Sequence, residues 1–370
     1  MEEKVSQNNN LLNSKQKLVR AGGLILFIGA CGLCISRIIT YFLTSYAFIG
    51  IDEVTTEVVT NVIFTFMVQV MCLFVAPFLV FKLYLKGKTK DFLTASNVKP
   101  VSVKVCLLAV LVGLLAPTLS MLVNLIVNTV FVNIGIYIPA SETILPKEFN
   151  VGIFLLNILL TAILPGICEE IFNRGIALSG FRSMFPEWAV ILIGGLVFGL
   201  FHQYIFQTFY TGVFGMVIVL VVLKTKSALP AMIIHFTNNF VAVIGEFADF
   251  YNWDFLSIQS IIAKADNVVL MILLMVIGVG LFALAVYLLI KVHKHDSSKK
   301  LIAKLIKEGK IPQEVANNKN VNFAGITVLG GPLGDVAYYK PTLKDTMFYW
   351  GALAVSVFTT LSTLLAYMII

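Results

Sequence analysis

Long apolar runs are the feature that most constrains this chain. From residue 22 onward they repeatedly reach the length, about 20 residues, that crosses the roughly 30 Å hydrocarbon core of a bilayer. With 58% hydrophobic and only 13% charged residues, the chain has too little polar surface to cover a soluble globule. The pattern therefore predicts an all-α, polytopic transmembrane helical bundle of about eight or nine spans. We place the spans at 22–48, 58–85, 104–136, 151–167, 188–206, 208–223, 228–246, 267–290 and 347–369.

The charges between the runs predict an orientation, because cytosolic loops of membrane proteins retain Lys and Arg. The polar start of the chain, with Lys15, Lys17 and Arg20, predicts a cytosolic N-terminus and leads into a run too long for a cleaved signal peptide. The net charge of +7 is then attributed to cytosolic loops rather than to a nucleic-acid partner. A basic and then Gly- and Pro-rich stretch from Lys291 to Lys344 predicts a cytosolic insertion.

An ionisable cluster interrupts one of the most apolar runs, in the stretch ILPGICEEIFNRG. Charged groups at bilayer depth cost roughly 2.5–3.5 kcal/mol each on insertion scales, so they are rare there and usually functional. On a helix Glu170 and Arg174 are four residues apart and can pair, whereas Glu169 points about 100° away from that pair. A packing salt bridge would explain the pair alone. The remaining carboxylate is a candidate general base.

Two of the four histidines fall in predicted spans. His202 ends the stretch FGLFH, one helical turn after Phe198. His235 begins the stretch HFTNN, one turn before Asn239. A single membrane histidine commonly serves a helix-to-helix hydrogen bond, but two histidines, an amide and a spare carboxylate on consecutive helices indicate chemistry. They offer a base for water, histidines that hold water or polarise a carbonyl, and an oxyanion donor, which is a set for hydrolysing a peptide bond.

A metal centre is an open alternative for the same residues. Glu169, His202 and His235 match a two-histidine, one-glutamate zinc set with an open position. The sequence does not decide between metal and glutamate chemistry, so the metal and the cofactor are left unknown. The five cysteines show no repeated ligand spacing and are predicted to be packing residues.

The stretches EEIFNRG, FGLFH and HFTNN resemble the ordered motifs EExxxR, FxxxH and HxxxN of the CAAX protease and bacteriocin-processing (CPBP) family, also called the ABI family. These intramembrane endopeptidases are related to the type II CAAX prenyl endopeptidases. The resemblance covers residues 150 to 245 or so and implies a polar active-site cavity within the membrane. It divides the chain into an N-terminal tail and helices (1–149), a CPBP catalytic core (150–247), and C-terminal helices (248–370) with the insertion at about 291–344.

The resemblance also implies a role for each motif residue. Glu169 with His202 would activate the attacking water. His235 with Asn239 would stabilise the tetrahedral oxyanion. In this family the mechanism is usually described as glutamate-dependent, and older descriptions invoke a metal.

Glu170 and Arg174 would shape the site of such an enzyme. One position departs from the family, which often has an aromatic residue directly before the arginine. Asn173 stands there, and Phe172 lies one place earlier, which leaves the charged set intact and affects only the expected lining of the substrate cavity.

Two more residues stand out in the apolar runs. Arg37, midway through the first run, is expected to pair with a carboxylate or to extend toward one membrane surface, in a structural role. Pro165, just before the glutamates, is expected to loosen its helix and to open the site to water.

The predicted function is an intramembrane endopeptidase that acts on membrane-associated or lipidated peptides or proteins, in CAAX-type or bacteriocin processing. Its partners would be a peptide or membrane-protein substrate and the lipid bilayer, with no nucleic acid. The alternative is a non-catalytic membrane protein, such as a bacteriocin immunity factor or scaffold, that keeps the polar cluster for packing. The Lys-, Ile- and Asn-rich composition favours a bacterial plasma membrane.

Overall fold

The apolar sequence forms helices because a helix satisfies its own backbone hydrogen bonds in a medium without water. The computed structural model describes residues 2–136, 150–253, 261–262, 267–308 and 338–369. Within these ranges there is no strand, and the predicted all-α class is confirmed.

Nine apolar helices in the described ranges form the bundle. Eight are long and apolar enough to cross a membrane, and the fifth, with 15 residues, is shorter. The chain is therefore a multi-pass integral membrane protein. In chain order the helices are α1 (Glu2–Phe42), α2 (Val54–Tyr84), α3 (Val103–Asn133), α4 (Val151–Met184), α5 (Glu187–Phe201), α6 (Ile205–Thr225), α7 (Leu229–Phe250), α8 (Val268–Lys307) and α9 (Leu343–Ile369).

Several helices extend beyond the apolar runs that predict them. The first begins at Glu2, and α8 passes through Lys291, the predicted start of the cytosolic insertion, and ends only at Lys307. Backbone hydrogen bonds continue a helix where the apolar run stops, because they do not depend on hydrophobic side chains. Residues 309–337 of the predicted insertion lie outside the described residues.

The break between α5 and α6 falls earlier than the sequence predicts. The predicted boundary lay between 206 and 208, whereas α5 ends at Phe201 and α6 begins at Ile205. Between them Gln203 has a φ of 52°, in the left-handed region that ends a helix. The correction matters for the site, because it places His202 at the end of a helix rather than within one.

The fourth helix is not a uniform α-helix. It continues past the predicted span at 151–167 and contains π-helical turns at Ile158–Ile163 and Asn173–Ala177. At Gly175 the backbone leaves helical geometry, with a ψ of −119°. A Cβ on Gly175 would lie 3.1 Å from the Cα of Ser96, so the glycine also admits a neighbouring turn. Such π-turns often occur at functional sites, and here they flank the two glutamates.

Glycines hold the short α5 against α6. A Cβ on Gly199 would overlap the carbonyl oxygen of Thr208, and one on Gly195 would lie 2.7 Å from that of Gly212. In lipid, helix association relies on such close backbone packing, because the tails are as apolar as the side chains. The glycine contacts therefore fix the end of α5.

One carboxylate ties α9 to α1. Asp345 accepts hydrogen bonds from Arg20 Nε at 2.8 Å and from Gln16 Nε2 at 3.0 Å. Near its own helix start it accepts from the Tyr339 hydroxyl at 2.7 Å and from the Thr342 backbone N–H and hydroxyl at 2.9 and 2.8 Å. The earliest and latest described helices are thus joined by a dense polar contact.

We expect Gly199→Ala to destabilise the fold by about 1–3 kcal/mol, because the added methyl overpacks the α5–α6 contact. The midpoint of thermal unfolding in detergent would fall by several degrees. Gly280→Ala is the matched control, since nothing lies within 4 Å of the Cβ it would add. An equal loss of stability in both variants would contradict the assigned packing role of Gly199.

Candidate active site

The centre of the site is a fully buried carboxylate. Glu170 has no exposed side-chain surface, and its Oε2 lies 3.2 Å from Arg174 Nε, which is the ion pair that the helical spacing predicts. His235 Nδ1, on α7, lies 3.0 Å from Glu170 Oε1. Both partners are also buried. Because an unpaired buried charge is very costly, these contacts hold α4 against α7.

Glu169 lies beside this network in a different environment. Its side chain keeps 15% exposure, and its Oε1 accepts a hydrogen bond of 2.8 Å from Gln69 Nε2 on α2. Its Oε2 lies 3.9 Å from His235 Nε2, which is too long for a direct hydrogen bond. The sequence interpretation singled out Glu169 as the carboxylate outside the ion pair, but it did not identify Gln69. The signal that could have found Gln69 is an amide within an apolar run.

The ring of Phe198 connects the two histidines and the arginine. Its centroid lies 5.1 Å from the ring of His202 and 5.7 Å from that of His235, both close to edge-to-face. Arg174 Cζ lies 4.8 Å from the same centroid, in cation–π geometry. Phe198, one turn before His202, thus contacts three side chains of the site.

His202 is oriented through its backbone as well as its ring. Its Nδ1 lies 2.9 Å from the carbonyl oxygen of Phe198, and because a carbonyl only accepts, Nδ1 is the donor. In the neutral ring Nε2 is then the acceptor. The side chain lies close enough to Glu169 for an electrostatic interaction.

Arg37 of α1 holds the turn that carries His202. Its Nη2 donates to the carbonyl oxygen of His202 at 3.1 Å, and its Nη1 donates to that of Gln203 at 3.4 Å. A cation at this position complements the negative end of the α5 dipole. The intramembrane arginine therefore binds backbone carbonyls instead of the carboxylate or membrane surface considered from the sequence.

Asn239 lies one turn beyond His235 and contacts the start of the glutamate helix. Its Nδ2 donates to the carbonyl oxygen of Thr161 at 2.9 Å. Thr161 lies four residues before Pro165, which has no N–H to supply the usual helical hydrogen bond to that carbonyl. The asparagine therefore compensates for the proline, and one hydrogen of its amide is already engaged.

Two other asparagines support the backbone of the motif. Asn173 Nδ2 donates to the carbonyl oxygen of Glu169 at 2.9 Å, and Asn97 Nδ2 donates to that of Arg174 at 2.7 Å. Asn173 is buried, so at this departure from the family pattern the side chain braces its own helix. The sequence interpretation did not identify Asn97, because it lies on the connection between α2 and α3.

The predicted residues fall into a contact network and two neighbours. The network contains Glu169, Glu170, Arg174 and His235, and the neighbours are His202 and Asn239. In the described part of the chain, no three His, Cys, Asp or Glu side chains form a group that could hold a metal ion. Of the zinc set considered from the sequence, Glu169 Oε2 and His235 Nε2 lie 3.9 Å apart, while His235 Nδ1 faces Glu170.

We expect Arg174→Met to destabilise the protein by about 3–5 kcal/mol, because it leaves Glu170 buried without its guanidinium partner. Adding Glu170→Gln to that variant removes the unpaired charge and should recover part of the loss. Unfolding in mixed detergent micelles, followed for the two single variants and the double variant, measures the coupling. If the losses of unfolding free energy in the two single variants add up to the loss in the double variant, the interaction between Glu170 and Arg174 contributes nothing to stability.

Comparison with known proteins agrees with the motif resemblance. Residues 151–241 match the family described as Rce1-like, type II CAAX prenyl endopeptidase Rce1-like, and this range contains all six predicted site residues. No curated protein and no solved structure matches the chain. Residues 151–241 of this membrane protein are therefore similar to the Rce1-like family of type II CAAX prenyl endopeptidases.

Proposed function

We propose that this protein is an intramembrane endopeptidase of the CAAX type that hydrolyses peptide bonds in membrane-associated or lipidated peptides or proteins. The observation that carries the proposal is the contrast between two adjacent carboxylates. Glu170 is fully buried and compensated by two cationic or hydrogen-bonding partners, as a structural group requires. Glu169 keeps exposed surface and one carboxylate oxygen without a direct hydrogen bond to His235, which suits a base that must reach water.

In the proposed mechanism Glu169 Oε2 accepts a proton from water while the water oxygen attacks the carbonyl carbon of the peptide bond. The Nε2 of His202 accepts a hydrogen bond from the same water and helps to orient it. The proton held by Glu169 then passes to the departing amine as the tetrahedral intermediate collapses.

We assign the oxyanion to the side of the site formed by α7. With Nδ1 donating to Glu170, the Nε2 of His235 is the ring atom that faces the reaction, and in the protonated ring it donates to the oxyanion. Asn239 would contribute the second hydrogen of its amide, since the first is donated to Thr161. Glu170 and Arg174 are positioning residues in this scheme, and a polar cavity around these side chains is part of the proposal.

The finer biological assignments are also proposals. Substrates of the CAAX type follow from the family match, and bacteriocin processing follows only from the motif resemblance. A cytosolic N-terminus is supported by the basic residues before the first apolar run, and a bacterial plasma membrane by the composition.

The first test is cleavage by protein purified in detergent or nanodiscs, with a quenched fluorescent CAAX-type peptide and a small library of membrane-anchored peptides. We expect Glu169→Gln to lower kcat at least about 100-fold, because the amide cannot accept the proton of water. The matched control is Glu187→Gln. Glu187 lies at the start of α5, and its exposed carboxylate pairs with Lys224. Full activity in Glu169→Gln would overturn the proposed mechanism.

A chelator added in parallel separates the glutamate mechanism from a metal-dependent one. Cleavage that is lost in Glu169→Gln and resists the chelator supports the glutamate base. Loss of activity with chelator, restored by one added metal, would instead require a metal in the reaction. A folded parent that cleaves no peptide would favour the non-catalytic alternative, an immunity factor or scaffold.

A further inference from the structure

A buried amide from outside the family-matched region reaches the candidate base. Gln69 lies in the π-helical segment Phe66–Val75 of α2, in the otherwise apolar sequence FMVQVMCLFV. It has only 8% of its surface exposed. Its Nε2 donates to Glu169 Oε1 at 2.8 Å, so α2 contributes directly to a site whose ionisable groups lie on α4, on α7 and at the end of α5.

The orientation of this amide follows from its partner. An ionised carboxylate only accepts hydrogen bonds, so the nitrogen of Gln69 must face Glu169 and its oxygen must face elsewhere. That oxygen is buried and has no hydrogen-bond partner among the described residues. A buried acceptor without a donor is costly, so the hydrogen bond to Glu169 is kept although it leaves the amide oxygen unsatisfied.

The hydrogen bond also makes the two carboxylate oxygens of Glu169 inequivalent. Oε1 is occupied by Gln69, and Oε2 is left on the side of His235 Nε2 at 3.9 Å. A carboxylate fixed at one oxygen cannot rotate its other oxygen away from the reacting atoms. The contact therefore selects the oxygen that would act as base.

We propose that Gln69 is a positioning residue for Glu169, which holds the base by donating its amide N–H to Oε1. This inference rests on the proposed function. It adds to the family-matched region 151–241 a group from the second helix. The competing explanation is an interhelical hydrogen bond that only joins α2 to α4.

The experiment compares Gln69→Leu and Gln69→Met with the parent in the cleavage assay. Both replacements remove donor and acceptor and suit the apolar surroundings, and the second keeps an unbranched side chain if the first misfolds. Thr60→Val is the matched control, because Thr60 lies on the same helix and its buried hydroxyl has no hydrogen-bond partner within the described ranges. Thermal unfolding of each variant is measured in the same detergent.

We expect kcat to fall roughly ten- to a hundredfold in both variants, the range for losing one hydrogen bond to a charged group. KM should stay near the parental value, because the proposed role of Gln69 is to hold the base and not to bind the peptide.

The outcomes separate the two explanations. Parental kcat, with only a lowered unfolding temperature, would overturn the positioning role and leave a purely structural hydrogen bond. A parent that cleaves nothing would overturn the proposed function, and the role of Gln69 with it. Parental cleavage that is abolished by Glu169→Gln but survives in both Gln69 variants would overturn the role of Gln69 alone.

Discussion

The burial of one carboxylate governs the arrangement of the helices around it. Glu170 has no exposed surface in a chain built from membrane helices, so its charge must be compensated by the protein itself. Arg174 supplies that compensation from the same helix, and His235 supplies it from α7. The ring of Phe198 then brings α5 to the arginine and to both histidines. The positions of α4, α5 and α7 relative to one another thus depend on contacts that compensate the charge of Glu170.

This arrangement allows two neighbouring glutamates to differ. Adjacent residues on a helix point about 100° apart, so the same backbone directs one carboxylate into the ion pair and the other toward a boundary with α2. The π-helical turns before and after the pair change that angular spacing locally, and the kink at Gly175 ends it. The different environments of Glu169 and Glu170 are therefore a consequence of helix geometry and of which neighbouring helix each side chain meets.

Local rules of helical spacing predicted the parts of the molecule that depend on one helix at a time. They predicted which segments are helical, and they predicted the ion pair of Glu170 with Arg174 because those residues are four apart. They could mark Gln69 only as an amide in an apolar run. They could not predict its contact with Glu169, or that of Asn97 with Arg174, since each joins residues far apart in sequence through packing that no local pattern encodes. The end of α5 was misplaced for a similar reason. The apolar run continues through the break, whereas the left-handed turn at Gln203 is stabilised by Arg37 from a distant helix.

The polar contact at Asp345 has a consequence for how such a chain is made. Ribosomes synthesise α1 long before α9, so Gln16 and Arg20 lack their carboxylate partner, Asp345, until α9 has been made. The same holds for the glycine face of α1 at Gly22 and Gly23, where the ring and hydroxyl of Tyr349 pack in the finished bundle. Assembly in the membrane is then completed by a late helix closing onto an early one. A translation product that stops before α9 would present an open polar and glycine-lined seam, which is a surface that membrane quality-control proteases and chaperones can recognise.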